Sequence, residues 1–122
     1  MRIPLVNDEP SVREAMTAFL VHVGKFDVET AADGDEAIRM CRVKGHFDFV
    51  LTDFRHPGPR GTELVRRIRE NSPTQRIAFV TGLTGDEMQR LRSELAELSV
   101  MLWEAPVQPF ELVNSINSLL GE

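Results

Sequence analysis

The sequence is poor in cysteine and has no long apolar run. Cys41 is the only cysteine in 122 residues, which excludes an internal disulfide. Its helical spacing from Ala37 and Ile38 predicts a buried thiol rather than a nucleophile. The apolar stretch after Arg2 is short because Asn7-Asp8-Glu9-Pro10 interrupts it, so neither a signal peptide nor a membrane span is predicted. We therefore expect a cytoplasmic protein that does not bind a membrane.

Positive charge is also scarce. The chain has 14 Lys and Arg residues against 19 Asp and Glu residues, which gives a net charge of −5 at pH 7. Non-specific binding to nucleic acid requires an excess of cations, so we predict that this domain binds no nucleic acid. No linker, repeat or low-complexity tract interrupts the sequence, and its apolar fraction of 42% is typical of a globular protein. Residues 1–122 are therefore predicted to form a single domain.

Two kinds of apolar pattern alternate along the chain. Helical spacing predicts five helices: one over 10–23, one from a cap at Asp33 to Gly45, one over 61–71, one over 85–98 and one after Pro109. Short apolar segments predict five strands: at 3–6, at 27–31, one that ends at Asp53, at 77–81 and at 100–103. Strands joined by helices of this length form a parallel sheet that is covered by helices on both faces. The predicted fold is α/β, a doubly wound (βα)5 three-layer sandwich around a five-stranded parallel sheet.

Carboxylates follow two of the predicted strands. Asp8 and Glu9 follow the first strand, and Asp53 closes the third strand directly before a segment rich in proline and glycine. Taken alone, Asp53 is equally consistent with an ordinary turn residue. The carboxyl ends of parallel strands share one edge, however, and ligands bind there in open α/β sheets. Crowded carboxylates favour a hard cation such as Mg²⁺ or Mn²⁺, so we predict a metal-assisted phosphoryl site.

Four short motifs lie at the ends of predicted strands one, three, four and five. They are Leu5-Val6-Asn7-Asp8-Glu9-Pro10, the loop from Asp53 to Gly61, Thr81-Gly82 and Ala105-Pro106-Val107. In this order they resemble the motifs of the receiver domains of two-component response regulators, and the resemblance covers the whole chain. It implies a flavodoxin-like and CheY-like arrangement of the five strands and five helices.

The resemblance implies a role for each matched residue. Asp53 would be the phosphoacceptor, forming an acyl phosphate. Asp8, Asp53 and the backbone carbonyl of Arg55 would hold Mg²⁺ or Mn²⁺. The first acidic position of the family is Asn7 here, which would contribute only weakly, through a metal-bound water, so we expect weaker metal binding.

The lysine of the family is missing from the strand-five motif. Ala105 stands in its place before Pro106, and the alternative register at Gln108 supplies no cation either. The resemblance therefore implies that the phosphoryl group acts without the usual ammonium. Arg55 or Arg60 in the loop after the phosphoacceptor is a candidate replacement.

The resemblance also implies how such a domain works. Thr81 would be a switch hydroxyl that turns to the phosphoryl group, and Gly82 would leave space beside it. The partner would be a sensor histidine kinase or a phosphotransfer protein, and the surface of helix four, strand five and helix five would switch or form a homodimer. The domain would not be an enzyme beyond self-catalysed phosphotransfer and dephosphorylation. The alternative is a degenerate receiver that acts as an interaction or dimerisation module without phosphorylation.

Overall fold

The structure is a computed structural model that describes residues 2–44, 47–53, 58–59, 61–104 and 108–120. In these segments strands and helices alternate along the chain. Their bounds are β1 Arg2–Val6, α1 Pro10–His22, β2 Asp27–Ala31, α2 Gly34–Lys44, β3 Val50–Asp53, α3 Gly61–Asn71, β4 Ile77–Thr81, α4 Gly85–Leu95, β5 Met101–Glu104 and α5 Pro109–Leu120, with a 3₁₀ turn at Ala96–Leu98. This order confirms the predicted alternation of strand and helix.

The strands form one parallel sheet in the order β2-β1-β3-β4-β5. Val6 at the end of β1 pairs with Ala31 of β2 and with Thr52 of β3. The strand order therefore reverses between β1 and β3, and in doubly wound sheets ligands bind in the crevice beside such a reversal. The parallel sheet and its topology confirm the predicted fold class.

Two apolar clusters cover the two faces of the sheet. One face packs α2, α3 and α4 against the sheet, through residues that include Ile38, Cys41, Leu64, Ile68, Phe79 and Leu91. The other face packs α1 and α5, through residues that include Ile3, Leu20, Phe49, Leu51, Leu112 and Ile116. Alternate strand residues enter opposite clusters, as the twofold period of a strand requires. The result is the predicted three-layer sandwich.

Helix α2 begins with the predicted cap. The Asp33 Oδ1 atom accepts a hydrogen bond from the backbone N–H of Glu36 at 2.8 Å. The Glu36 carboxylate reaches back as expected, but it accepts from the N–H of Ala32 at 3.2 Å, one residue before the cap. The first bond satisfies a backbone donor that the first helical turn leaves without a partner, and the second holds the chain that enters the helix.

The end of α4 differs from the prediction of one helix over 85–98. The α-helix ends at Leu95 and continues as a 3₁₀ turn to Leu98, after which Ser99 adopts a left-handed backbone with φ of 54°. The guanidinium of Arg69 on α3 donates to the carbonyls of Leu98 and Ser99 and also to Gln75 O. This long-range contact fixes the chain where helical spacing alone predicted a continuous helix.

Cys41 is buried, with 1% of its surface exposed, as its helical spacing predicted. Burial raises the pKa of its thiol from the usual 9.0 to about 11. At a pH below the pKa, each unit by which the pKa rises lowers the thiolate fraction about tenfold. At pH 8, the rise from 9.0 to about 11 therefore lowers the thiolate fraction by about 100-fold. We expect a disulfide reagent such as dithionitrobenzoate to modify Cys41 only as the protein unfolds; rapid modification of the folded protein would contradict this burial.

No helix in the described ranges is both long enough and apolar enough to cross a membrane.

Candidate functional site

Three strand ends bring the predicted site residues to one edge of the sheet. Asn7 directly follows β1, and Asp53 is the last residue of β3. Because Val6 pairs with Thr52, these two residues lie side by side at the ends of neighbouring strands. Asp53 in turn pairs with Val80, so Thr81 lies one residue further along the adjacent strand β4. The topology therefore places the ends of β1, β3 and β4 side by side at the carboxyl edge.

Two small depressions open at this edge, and Asp53 and Gly82 line both of them. The first is a cleft of about 150 Å³ that Asn7, Glu9 and Thr52 also line, with an apolar wall that includes Leu5, Val12, Met16 and Val80. The second has about 230 Å³ and is lined further by Thr81 and Leu83. Asp53 is half-buried between them. A half-buried carboxylate beside open space is accessible to a small anionic reactant.

Asn7 is bound within the loop that joins β1 to α1. Its side chain is 8% exposed, and its Oδ1 atom accepts the backbone N–H of Glu9 at 2.9 Å. Its backbone carbonyl accepts a hydrogen bond from Nη1 of Arg13 at 2.7 Å. Asn7 therefore holds the shape of the loop, and its side-chain oxygen already has a partner.

Asp8 lies in the same loop and is exposed. Within the segments that the structure describes, no three Asp, Glu, His or Cys side chains come close enough to hold a metal ion together. Mg²⁺ does not require such a cluster, since it usually binds one or two carboxylates and keeps several waters. The oxygen donors at the ends of β1 and β3 therefore fit Mg²⁺ in chemistry, but Asp8 itself lines neither of the two depressions beside Asp53.

Thr81 is 3% exposed, and its Oγ1 atom accepts the backbone N–H of Leu83 at 3.1 Å. This bond links the end of β4 to the loop that precedes α4. Gly82 between them is exposed, and a Cβ atom built there would meet no atom of the described residues within 4 Å. Packing within the protein thus leaves open space beside Thr81.

Several predicted site residues lie outside the described residues. Arg55, Arg60, Ala105 and Pro106 belong to this group. In the same loop as Arg55, Gly58 has φ of +80°, and a Cβ there would approach Asp35 Oδ2 to 3.0 Å, so the position favours glycine. The roles suggested for these residues remain predictions.

The sheet register bears on the two alternatives for the strand-five motif. Glu104, the last residue of β5, pairs with Thr81 of β4, so Ala105 is the residue that follows the strand directly. Gln108 instead precedes α5, and its carbonyl accepts the N–H of Leu112 at 2.9 Å. The register therefore favours Ala105 as the equivalent of the missing lysine.

Within the surface formed by α4, β5 and α5, an exposed ion pair joins α4 to β5. Arg92 on α4 contacts Glu104 on β5, with Nη2 and Oε1 3.5 Å apart. On the opposite face of β5, Trp103 stacks on Phe49 with ring centroids 6.0 Å apart. Phe110 on α5 is 67% exposed. A displacement of β5 would therefore affect both helical layers.

A larger cleft of about 520 Å³ lies at the other edge of the sheet, beside the starts of β4 and β5. Gln75 lines it and is fully buried, with Oε1 accepting from Phe47 N at 2.9 Å and Nε2 donating to Phe47 O at 2.8 Å. Arg69 also lines it and binds backbone carbonyls. These polar groups serve the fold, so the smaller carboxylate edge is the better candidate site.

The sequence placed Glu9 among the carboxylates that follow the first strand but not among the predicted metal ligands, and it indicated no role for Arg13. Glu9 lines the cleft that Asp53 lines, and Arg13 binds the loop that positions both Asn7 and Glu9. The available signal was the spacing of Asn7 and Glu9, because an Asn side chain commonly accepts the N–H two residues on. The Arg13 contact depends on how the helix packs, which the sequence pattern does not define.

Comparison with known proteins agrees with this geometry. The family described as the response regulator receiver domain matches residues 3–102. The response regulator Rre1 of Synechocystis sp. is 34% identical over 96% of this chain and 50% of its own length. The chemotaxis protein CheY-3 of Vibrio cholerae is 31% identical over 82% of this chain and 75% of its own length. The crystallised chemotaxis protein CheY4 of Vibrio cholerae superimposes with a TM-score of 0.79 at 28% identity, covering 96% of both chains.

Some of these relatives are much longer than this chain. It spans about half the length of Rre1 and 48% of the regulatory protein ResD of Bacillus subtilis. Domains of this family are phosphoacceptors in signalling rather than conventional enzymes. They interact with histidine kinases or phosphotransfer proteins, and they generally bind Mg²⁺ at the phosphorylation site. The family match and the placement of Asp53 at the carboxyl edge of the parallel sheet lead to one conclusion: the chain belongs to the receiver domains of two-component response regulators.

Proposed function

We propose that residues 1–122 form one cytoplasmic receiver domain in which Asp53 accepts a phosphoryl group. The observation that supports this most strongly is the position of Asp53, half-buried between two depressions where β1, β3 and β4 end. Its phosphodonor would be a phosphohistidine on a sensor histidine kinase or a phosphotransfer protein. The phosphorylated domain would then change its binding to an output partner.

The transfer requires a nucleophile and an environment that tolerates negative charge. A carboxylate oxygen of Asp53 attacks phosphorus, the P–N bond of the phosphohistidine breaks, and the imidazole nitrogen keeps the electron pair. Asp8, Asp53 and the carbonyl of Arg55 would hold Mg²⁺. When bound, Mg²⁺ neutralises charge on the phosphoryl oxygens, and positioning and electrostatics account for most of the rate in such transfers.

The hydroxyl of Thr81 is suited to sense the phosphoryl group. In the described ranges, the Thr81 hydroxyl makes one hydrogen bond, in which its oxygen accepts the N–H of Leu83. Its hydrogen therefore remains available to a phosphoryl oxygen. A shift of Thr81 would move the loop before α4, because Leu83 is held by the same oxygen atom. This route compensates in part for Ala105, which has no ammonium to pair with the phosphoryl group.

The proposed output surface comprises α4, β5 and α5. Its support is the Arg92–Glu104 contact, which connects α4 to β5 beside the strand that ends in Thr81. Phe110 on α5 and Met101 on β5 expose 67% and 40% of their surfaces, which a partner would cover favourably. A homodimer through this surface is one form that the output would take.

A phosphorylation-independent interaction module is the second candidate function. Two features favour it: Ala105 removes the cation of the family, and Asn7 replaces a carboxylate and is bound within its own loop. Such a module would bind its partner equally well whether or not Asp53 reacts.

The test is an intact-mass measurement after incubation with acetyl phosphate, with Mg²⁺ or with an excess of a chelator. We expect one added phosphoryl group in the presence of Mg²⁺ and none with the chelator. A parallel sample with beryllofluoride, a stable phosphoryl mimic, controls for rapid hydrolysis. No adduct and no binding of beryllofluoride would contradict the phosphoacceptor proposal and favour the interaction module.

A further inference from the structure

The first carboxylate of the family motif is absent from this chain, and the structure shows what Asn7 does instead. Its Oδ1 atom binds the N–H of Glu9 at 2.9 Å, and its carbonyl binds Arg13 at 2.7 Å. With only 8% of its surface exposed, Asn7 is oriented into the loop. It positions the backbone of Glu9 rather than presenting a charge to the cleft.

Glu9 has the free carboxylate that Asn7 lacks. It is the N-cap residue of α1, with φ of −92° and ψ of 113°, yet its side chain makes no capping hydrogen bond. No ion pair or hydrogen bond of its carboxylate is found within the described segments, and the residue is exposed. It lines the cleft of about 150 Å³ that Asp53 also lines.

We propose that Glu9 replaces the missing first carboxylate of the metal site by supplying negative charge and a hydrogen-bond acceptor for metal-bound water. This inference rests on the proposed function of Asp53. Direct contact with the ion is not needed, because Mg²⁺ keeps several of its waters in protein sites. A water-mediated role also agrees with the absence of a three-carboxylate cluster in the described residues.

A purely structural role for Glu9 has different consequences. A carboxylate at a helix N-terminus stabilises the helix through its dipole. Replacing it would then lower the stability of the metal-free protein and leave metal binding unchanged. Metal affinity measured without any phosphodonor therefore separates the two roles.

The experiment is a Mn²⁺ titration in which free Mn²⁺ is followed by its electron paramagnetic resonance signal. Wild type is compared with Glu9→Gln, which keeps the shape and removes the charge. The matched control is Glu14→Gln, an exposed carboxylate further along α1 that does not line the cleft. We expect Glu9→Gln to weaken Mn²⁺ binding about tenfold, as for other residues that orient a metal's ligands, and Glu14→Gln to change it less than twofold.

A double variant, Asn7→Asp with Glu9→Gln, returns one carboxylate to the loop and is expected to recover most of the lost affinity. Equal affinities of wild type and Glu9→Gln would overturn the inference while leaving the proposed function intact. An equal loss of Mn²⁺ affinity in Glu14→Gln would overturn it too, because the loss would then reflect the overall charge of the domain and not a carboxylate beside the metal. If wild type bound no Mn²⁺, the inference would fail together with the proposed metal site.

Discussion

Asp53→Asn is expected to abolish phosphoryl uptake from acetyl phosphate while the fold stays intact. Asparagine has nearly the same shape as aspartate, but its neutral amide lacks the nucleophilic carboxylate oxygen that forms the acyl phosphate. Asp53 ends β3, and its backbone pairing with Val80 is available to either side chain. Intact mass would show an unmodified chain, and the circular dichroism spectrum would match that of wild type.

The control for this prediction is Asp86→Asn. Asp86 is an exposed carboxylate in the first turn of α4 and lines neither depression beside Asp53. We expect it to take up a phosphoryl group as wild type does. A Mg²⁺-dependent adduct on Asp53→Asn would show that the acceptor is another residue.

Gln75→Leu is expected to destabilise the fold by about 3 kcal/mol, the upper end of the cost of leaving a buried polar group without its partner. Gln75 is fully buried and binds both backbone polar groups of Phe47 and the carbonyl of Arg76. Leucine has a similar volume but would leave the N–H and the carbonyl of Phe47, just before β3, without this partner, while the Arg76 carbonyl keeps its bond from Val50 N. Thermal unfolding should shift downward by about 10 °C for a domain of this size.

Gln89→Leu provides the matched comparison, because Gln89 is exposed on α4. The same exchange there should alter the free energy of unfolding by less than about 0.5 kcal/mol, as for most surface substitutions. If both variants unfolded at the wild-type temperature, the hydrogen bonds of Gln75 would not contribute to stability as the structure indicates.

Helical and strand periodicity predicted nearly all of the fold, because most elements bury one apolar face locally. The helix over 61–71 and the strands at 27–31 and 77–81 were predicted at their observed bounds. The end of α4 was not, since Arg69 binds carbonyls 29 and 30 residues away, beyond the reach of a local pattern. A contact between α3 and the start of β5 becomes visible only in the folded chain.

The candidate site was predictable in position but not in detail. Asp53 and Thr81 follow from their places at strand ends, and the observed register brings those ends together. The hydrogen bond from Glu9 N–H to the Asn7 side chain and the position of Glu9 beside the cleft depend on loop geometry, which residue spacing does not determine. The metal, the acceptor role of Asp53 and the roles of Arg55 and Ala105 remain predictions.

We expect a phosphoryl group on Asp53 to change the loop between β4 and α4. We would record amide NMR spectra of the protein with Mg²⁺ before and after adding beryllofluoride, with Asp53→Asn in parallel. We expect shifted amide signals for Asp53, Thr81 and Leu83 and for β5 residues such as Glu104, and no such shifts in Asp53→Asn. Unchanged wild-type spectra, or the same shifts in Asp53→Asn, would contradict it.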